Sequence, residues 1–307
     1  MLKNNIKFVN QHHTADGSDR AFVSFNGLNT LWFNTGTLCN IACKDCYIDS
    51  SPLNDKLLYL DLKDVKYYIN EIQINNWSCK SIGFTGGEPF MNKDIIASIE
   101  FCLEKGFEVL VLTNAMQPMQ NKIDALKKLS KYQNLKLRIS LDHFSKCEHE
   151  KIRGEKTWDK ALLGIKLLIN NNFKFTIASR ILNKEETTMR DGFNKLFKLH
   201  NVIIDAYDPK DLILFPEMSM ISETPEITTK CWSILGVDPA NMMCADSRMI
   251  VKRKEDRLTH VVACTLIPYE NDFSYGKYLK DSFKKVYLKH PHCSKFCVLG
   301  GASCSNN

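Results

Sequence analysis

From Leu60 onward, short apolar runs alternate with stretches whose apolar residues recur every three or four positions. The first such stretch puts Val65, Tyr68, Ile69 and Ile72 on one face, predicting a helix from Asp61, its cap, to about Asn75. Ser81–Thr85 follows as a short strand ending in Gly86-Gly87, and Lys93–Lys105 as a helix stopped by Gly106. Phe107–Thr113 is continuously apolar, as a strand buried on both faces should be. The alternation continues with a helix at about 120–132, a strand at Leu135–Leu141 and a helix at Thr157–Asn170. A strand at Phe173–Ser179, a helix at Glu185–His200 and a last short strand at Val202–Ala206 complete it. Leu31-Trp32-Phe33 supplies a first strand, before a loop that Ser51-Pro52 keeps from becoming helical. Strand followed by helix, over and over, reads as βαβ units on a parallel sheet.

After about residue 207 this texture ends. Asp208-Pro209, Phe215-Pro216, Thr224-Pro225 and Asp238-Pro239 punctuate the chain. Met249–Val251 and His260–Ala263 read as a hairpin, and Leu279–Lys289 as a helix ended by Pro291. Three segments are therefore expected: a polar one over 1–28, an α/β core over 29–207 and a small cysteine-rich domain over 208–307. Of the 307 residues, 44% are hydrophobic and 25% charged, which excludes a disordered chain or a coiled coil. No apolar run is long enough to span a membrane, and Met1–Asn10 lacks the apolar stretch of a secretory signal. A membrane is therefore not expected as a partner, and the expected compartment is the cytoplasm. The net charge of +6 is spread along the chain, whereas a nucleic-acid footprint is denser and one-sided.

Twelve cysteines change the picture. In a reducing compartment, clustered thiols are read as metal ligands or catalytic groups rather than disulfides. Cys39, Cys43 and Cys46 form C-x3-C-x2-C, close enough to converge on one metal centre, with the aromatic Tyr47 next to them. Structural zinc closes with four ligands, and so does a protein-saturated iron–sulfur cubane. A cubane held by three leaves one iron open to a substrate or cofactor. Zinc completed by a distant residue, and three incidental thiols, remain the plainer readings.

Gly86-Gly87-Glu88-Pro89 lies one βα unit later, at the end of a strand, where α/β folds bind ligands. Glycine lets backbone approach a partner closely. Alone, this string is an ordinary turn. Together, the cysteine triad and this motif in register resemble the radical SAM superfamily. Thr113-Asn114-Ala115 and Ser140-Leu141-Asp142 end the next two strands as related motifs of that family do. Ala115 stands where the family often has glycine, so its turn must avoid a positive φ or bear strain.

The resemblance implies a partial six-stranded (β/α)6 barrel over about residues 30–205. It implies a 4Fe-4S cluster on Cys39, Cys43 and Cys46 whose open iron takes S-adenosylmethionine. It places Gly86, Gly87, Glu88, Thr113, Asn114, Ser140, Asp142 and Arg153 around that cofactor, with Arg180 a further candidate. Hydroxyls suit ribose oxygens, and a guanidinium forks onto a carboxylate. A helix cap for Ser140 or Asp142, and a salt bridge for either arginine, are the ordinary alternatives.

Cys231, Cys244, Cys264, Cys293, Cys297 and Cys304 follow the core. This arrangement resembles the SPASM and Twitch extensions of radical SAM proteins, which carry auxiliary 4Fe-4S clusters. Six thiols are too few for two cubanes at four each. One auxiliary cluster is expected, on Cys244, Cys264 and two of Cys293, Cys297 and Cys304, with Cys231 a spare. Zinc is the alternative there, and His290 and His292 could join such a site. Cys79, Cys102 and Cys147 lack partners at ligand spacing and are read as free thiols.

The implied activity is reductive cleavage of S-adenosylmethionine to a 5′-deoxyadenosyl radical that takes hydrogen from a substrate. The substrate is a peptide or protein, or a small metabolite; the short segment before the first strand is too small for a peptide-recognition domain. An electron donor such as a flavodoxin or ferredoxin is implied. The rival is a zinc-organised binding module without catalysis, which leaves Gly86–Pro89 unexplained. Anaerobic purification separates them: a brown protein for iron–sulfur, a colourless zinc protein for the module.

Overall fold

The computed structural model describes residues 6–181, 185–216 and 223–303. In chain order the elements are β1 (Phe22–Val23), β2 (Thr30–Asn34), α1 (Leu62–Ile74), β3 (Ser81–Thr85), α2 (Ile95–Glu104) and β4 (Glu108–Thr113). Next come α3 (Gln117–Gln120), α4 (Ile123–Lys127), β5 (Leu135–Ser140), α5 (Lys146–Arg153), α6 (Trp158–Asn170), β6 (Phe175–Ile181) and α7 (Glu186–Leu199). The chain ends with β7 (Leu212–Pro216), α8 (Cys231–Leu235), β8 (Ser247–Lys252), β9 (Thr259–Val262) and β10 (Val286–Tyr287).

The main sheet has the order β7-β6-β5-β4-β3-β2-β8-β9. Strands β2 to β7 are all parallel neighbours, the six strands of a partial barrel. Hairpin β8–β9 extends the sheet, β8 running parallel to β2 and β9 antiparallel to β8. Helices and sheet bury one core, which takes Leu31 and Phe33 from β2 and Val109 and Val111 from β4. The opposite face takes the alternate residues, Trp32 and Leu110, and packs them against Met249, Val251 and the C-terminal segment. Period-two alternation thus feeds two cores from the same strands.

Local chemistry sets the helix starts. Asp61 caps α1 by accepting from Lys63 N and Asp64 N, and Asp64 returns the bond to Asp61 N.

Three expected elements are corrected. Val202–Ala206 is not a strand; the sixth strand is β7, further on. Aspartates turn this stretch, since Asp205 accepts from Tyr207 N, Asp208 from Lys210 N and Asp211 from Asp205 N. The core expected to end at residue 207 therefore runs on to Pro216, and residues beyond it add β8 and β9 to the same sheet. The helix expected over Leu279–Lys289 is a 3-10 turn, Leu279–Ser282, followed by β10. Val286 and Tyr287 instead pair with β1, so the polar N-terminal segment is strapped across the C-terminal region. Arg20 and Glu226 lock that strap with a buried ion pair at 2.5 Å. The helix expected at about 120–132 is broken into α3 and α4. Among the described residues, no helix is long and apolar enough to cross a membrane.

Gly83 sits opposite Trp32 in the β2–β3 ladder, and a Cβ there would lie 2.2 Å from the indole ring. Glycine-to-alanine changes usually stabilise through the unfolded chain, so the sign is diagnostic. Gly83→Ala is expected to destabilise the fold by roughly 1–3 kcal/mol through overpacking, read as a lower urea midpoint. An unchanged or higher midpoint would contradict this packing.

Candidate active site

The loop between β2 and α1 carries Cys39, Cys43 and Cys46 and is tied at several points. Cys39 N donates to Ser51 O (3.1 Å), Lys44 N to Ile152 O (2.7 Å) and Asp49 N to Cys46 O (3.1 Å). Arg180, at the end of β6, donates through Nη1 to Lys44 O (3.2 Å) and Asp45 O (3.1 Å). Its guanidinium also lies 5.1 Å from the Tyr47 ring centre. Asp45 sits at a φ of +53°, in the left-handed region that aspartate tolerates better than most residues.

Gly86 and Gly87 press backbone against backbone. A Cβ on Gly86 would lie 2.5 Å from Gly36 O, and one on Gly87 would lie 2.2 Å from Leu38 O. Gly87 N donates to Gly36 O (2.8 Å) and Glu88 N to Leu38 O (3.2 Å). Their close approach is thus to the chain entering the cysteine loop, as well as to the cavity beyond it.

That cavity holds ≈ 170 Å³. Its walls include the thiol-bearing Cys39, Cys43 and Cys46 together with Gly86, Gly87, Thr113, Asn114, Ser140, Asp142 and Arg153. Ten of the residues singled out from sequence therefore meet in one place. Glu88 is the exception, since its side chain lies behind the wall. Its carboxylate accepts from Thr113 Oγ1 (2.8 Å), Asn114 N (2.8 Å) and Phe90 N (3.1 Å), bracing the ends of β3 and β4 together. Asn114 in turn donates from Nδ2 to Asn40 Oδ1 (2.8 Å), inside the cysteine loop. Ala115 takes the positive φ that glycine would take freely, at +58°. Gly164 of α6 makes room for that turn, since a Cβ there would lie 1.9 Å from Ala115 O.

Charge in the wall is organised around Asp142. Arg153 pairs with it at 2.8 Å and Arg180 at 3.4 Å. Burial alone would raise the Asp142 carboxyl, but the two guanidiniums outweigh it and hold the group below its ordinary range. Burial pushes the Cys39 thiol up to about 12 and raises Cys43 as well. Metal binding there would have to displace protons. Ser50 and Ser179 also line the cavity, each with a buried hydroxyl that has no hydrogen-bond partner among the described residues. A polar occupant would satisfy them, so the lining fits a ligand rich in oxygen and nitrogen.

Several lining residues escaped the sequence reading: Arg138, Ser179, Ser50, Phe215, Thr265 and Leu266. Arg138 was within reach, because it stands two residues before Ser140 on β5 and so shares its face. Thr265 and Leu266 come from beyond the core and carry no local signal.

Four of the later cysteines also meet. Cys244, Cys264, Cys293 and Cys297 line a second, small cavity of ≈ 20 Å³ with His292, and Leu266 belongs to both cavities. Leu266 O accepts from His292 Nδ1 (3.1 Å), which leaves Nε2 as the bare nitrogen. His290 stacks edge-on against His292 but does not line the cavity. Cys304 lies outside the described residues. Cys231 is turned to its own helix start, accepting from Thr228 N at 3.4 Å. Cys79 contacts the Asn29 and Ser81 carbonyls, Cys102 is buried in α2, and Cys147 is exposed on α5. Among the described residues, no three His, Cys, Asp or Glu side chains converge as ligands of a single metal ion do.

Glu88 generates a test of the brace. Burial pushes its carboxyl up to about 7, against its three hydrogen bonds. Between about pH 4.5 and 7 the folded chain then keeps a proton that the unfolded chain has released. Stability from this group is complete below about 4.5 and is lost as pH rises toward 7. Glu88→Gln cannot titrate, so the stability difference between wild type and variant should shrink by roughly 3 kcal/mol over that range. Denaturant titrations at both pH values check it, and a difference that stays constant would contradict it.

The Radical SAM superfamily model matches residues 33–190. The subtilosin biosynthesis protein AlbA of Bacillus subtilis is 26% identical over 160 residues, 52% of this chain and 34% of AlbA. A GTP 3′,8-cyclase of Clostridium perfringens is 30% identical over 192 residues, 60% of this chain and 54% of that enzyme. The chain thus matches only a third to a half of the length of these two relatives. Among solved structures, Streptococcus suis SuiB bound to S-adenosylmethionine superposes with a TM-score of 0.61 at 15% identity, covering 87% of this chain and 67% of SuiB. SuiB bound to its precursor peptide SuiA gives 0.58 at 14% identity, covering 93% and 68%. The structural likeness therefore reaches past the matched core into the cysteine-rich region. With half of its length matched by the family model and the triad, glycine loop and strand ends gathered around one cavity, the chain belongs to the radical SAM superfamily.

Proposed function

We propose that Cys39, Cys43 and Cys46 hold a 4Fe-4S cluster and that S-adenosylmethionine occupies the adjoining cavity. The observation that carries this is the single cavity shared by the three thiols and the polar strand ends. When bound, the cluster supplies the electron that cleaves S-adenosylmethionine to a 5′-deoxyadenosyl radical. The chain's own residues hold and orient. Gly86 and Gly87 fix the approach to the cysteine loop, and Arg180 clamps its middle. Asp142 holds Arg153 at the wall, where a guanidinium suits a carboxylate. Ser140 and Ser179 offer hydroxyls to ribose or amino groups, while Thr113 lines the cavity with its own hydroxyl held by Glu88. The apolar lining from Ile41, Ile48, Leu112 and Phe215 keeps water from a reactive species.

The second cavity supports Cys244, Cys264, Cys293 and Cys297 as auxiliary ligands, an auxiliary 4Fe-4S cluster being the occupant this reading assigns. A zinc ion needs all its donors within about 2.3 Å of one point, whereas a cubane spreads its thiolates over separate irons. Among the described residues no three donors converge as a single ion requires, which favours the cubane. Leu266 lines both cavities, which supports a second centre next to the reacting space in this reading. An external one-electron donor of the flavodoxin or ferredoxin type is part of this reading.

For the substrate, the reading adopted is a peptide or protein. AlbA serves bacteriocin biosynthesis and SuiB binds a precursor peptide, and the likeness to SuiB includes the cysteine-rich region. A nucleotide is the second reading, since a GTP 3′,8-cyclase is 30% identical and Arg138, Arg153 and Arg180 all reach the cavity.

Cys43→Ala is expected to lose the iron of the first site and to form no 5′-deoxyadenosine; retained cleavage would reject the assignment. Cys293→Ala should lower iron from about eight to about four per chain while cleavage persists, and unchanged iron would reject the second site. Mass spectrometry after anaerobic incubation with S-adenosylmethionine, reductant and cell extract identifies the substrate. A mass change on a peptide supports the adopted reading, and one on a nucleotide overturns it.

A further inference from the structure

Arg248, on β8, is 1% exposed, and its guanidinium is surrounded by carbonyls. Nη1 donates to Cys244 O (2.7 Å) and Ser247 O (2.6 Å), Nε to Ser282 O (2.9 Å) and Nη2 to Lys284 O (2.9 Å). The rings of Phe25 and Tyr275 lie 4.3 Å and 5.7 Å from it. Every one of these partners is neutral. Arg20, Arg153 and Arg190 each meet a carboxylate at ion-pair distance. Arg248 makes no such pair among the described residues; Asp246, two residues before it, is near enough to be felt but is not paired. Hydrogen bonds and ring faces solvate a guanidinium in part, but they do not cancel its charge. A buried cation without a counter-charge is costly, and proteins rarely keep one unless an anion is nearby.

A source of negative charge stands four residues before it. Cys244 lies in the 3-10 turn Met243–Ala245 that leads into β8, and its carbonyl takes the shortest hydrogen bond but one. Its thiol lines the four-cysteine cavity with Cys264, Cys293 and Cys297. Four thiolates outweigh the positive charge of an iron–sulfur core, so a cubane ligated by all four is an anion. With one thiolate fewer the charge falls and the site leaves the guanidinium less well matched.

We propose that Arg248 is the fixed counter-charge of this second site, which holds an anionic centre ligated by all four cysteines. The guanidinium fixes the backbone at Cys244 and raises the centre's reduction potential, because reduction adds a further negative charge beside a cation. Arg248 is a positioning residue: it touches no substrate and no reacting atom. This rests on the auxiliary-cluster reading above.

The test uses the full chain with Cys39, Cys43 and Cys46 all replaced by Ala, so that only the second site is read. Iron content and the potential of the one-electron couple, titrated with dithionite and followed by electron paramagnetic resonance, are compared for Arg248, Arg248→Lys and Arg248→Met. Arg248→Met should lower the reduced-to-oxidised ratio at fixed potential about tenfold, a shift of about 59 mV for one electron, while Arg248→Lys stays near the parent. Loss of the cluster in Arg248→Met with its retention in Arg248→Lys also supports the proposal, since charge then decides retention. An intact cluster in Arg248→Met with an unmoved potential overturns it, and so does Arg248→Lys behaving like Arg248→Met. A parent without iron overturns the auxiliary-cluster reading itself, and this inference with it.

Discussion

Backbone lies against backbone where Gly86 and Gly87 meet residues 36–38, and the rest of the site follows from that contact. Neither glycine leaves room for a side chain, since a Cβ at either position would run into a carbonyl oxygen. The contact fixes where the chain enters the cysteine loop relative to the end of β3. Glu88 carries the constraint onward to β4 through Thr113 and Asn114. Asn114 returns it to Asn40 in the cysteine loop. Three strand ends and one loop are thus joined in a closed ring of short contacts, and the three thiols face one cavity as a consequence.

Buried charge follows a consistent rule. Asp142 is shared between Arg153 and Arg180, so the cavity wall contains a neutralised carboxylate and a pair of fixed donors. Arg180 also donates through Nη1 to the carbonyls of Lys44 and Asp45 in the cysteine loop. At the strap, Arg20 is matched to Glu226. Arg248 alone of these meets no carboxylate among the described residues; it donates to the carbonyl of Cys244, whose residue lines the four-cysteine cavity.

Much of this was legible in the residues. Strands buried on both faces announce themselves as continuous apolar runs, and β4 lies within the run expected for it. The cysteine triad, the double glycine and the polar strand ends were legible because parallel strands present their C-terminal ends to one side. What stayed hidden has physical causes. The apolar stretch Val202–Ala206 has the composition of a strand, yet aspartate side chains capture the backbone donors that a ladder needs. Val286 and Tyr287 are strand formers whose partner, β1, lies more than 250 residues away. Glu88 reads as a ligand contact because it adjoins the double glycine; only burial shows that its carboxylate faces inward. Thr265 and Leu266 reach the cavity through the tertiary fold alone.

The central claim is that three thiolates hold a cluster with one position open to S-adenosylmethionine. The most direct measurement is the electron paramagnetic resonance spectrum of the reconstituted, reduced full chain before and after S-adenosylmethionine is added. The account predicts a changed cluster signal on addition, followed by release of 5′-deoxyadenosine. A signal that stays the same, with the sulfonium compound recovered intact, would contradict it.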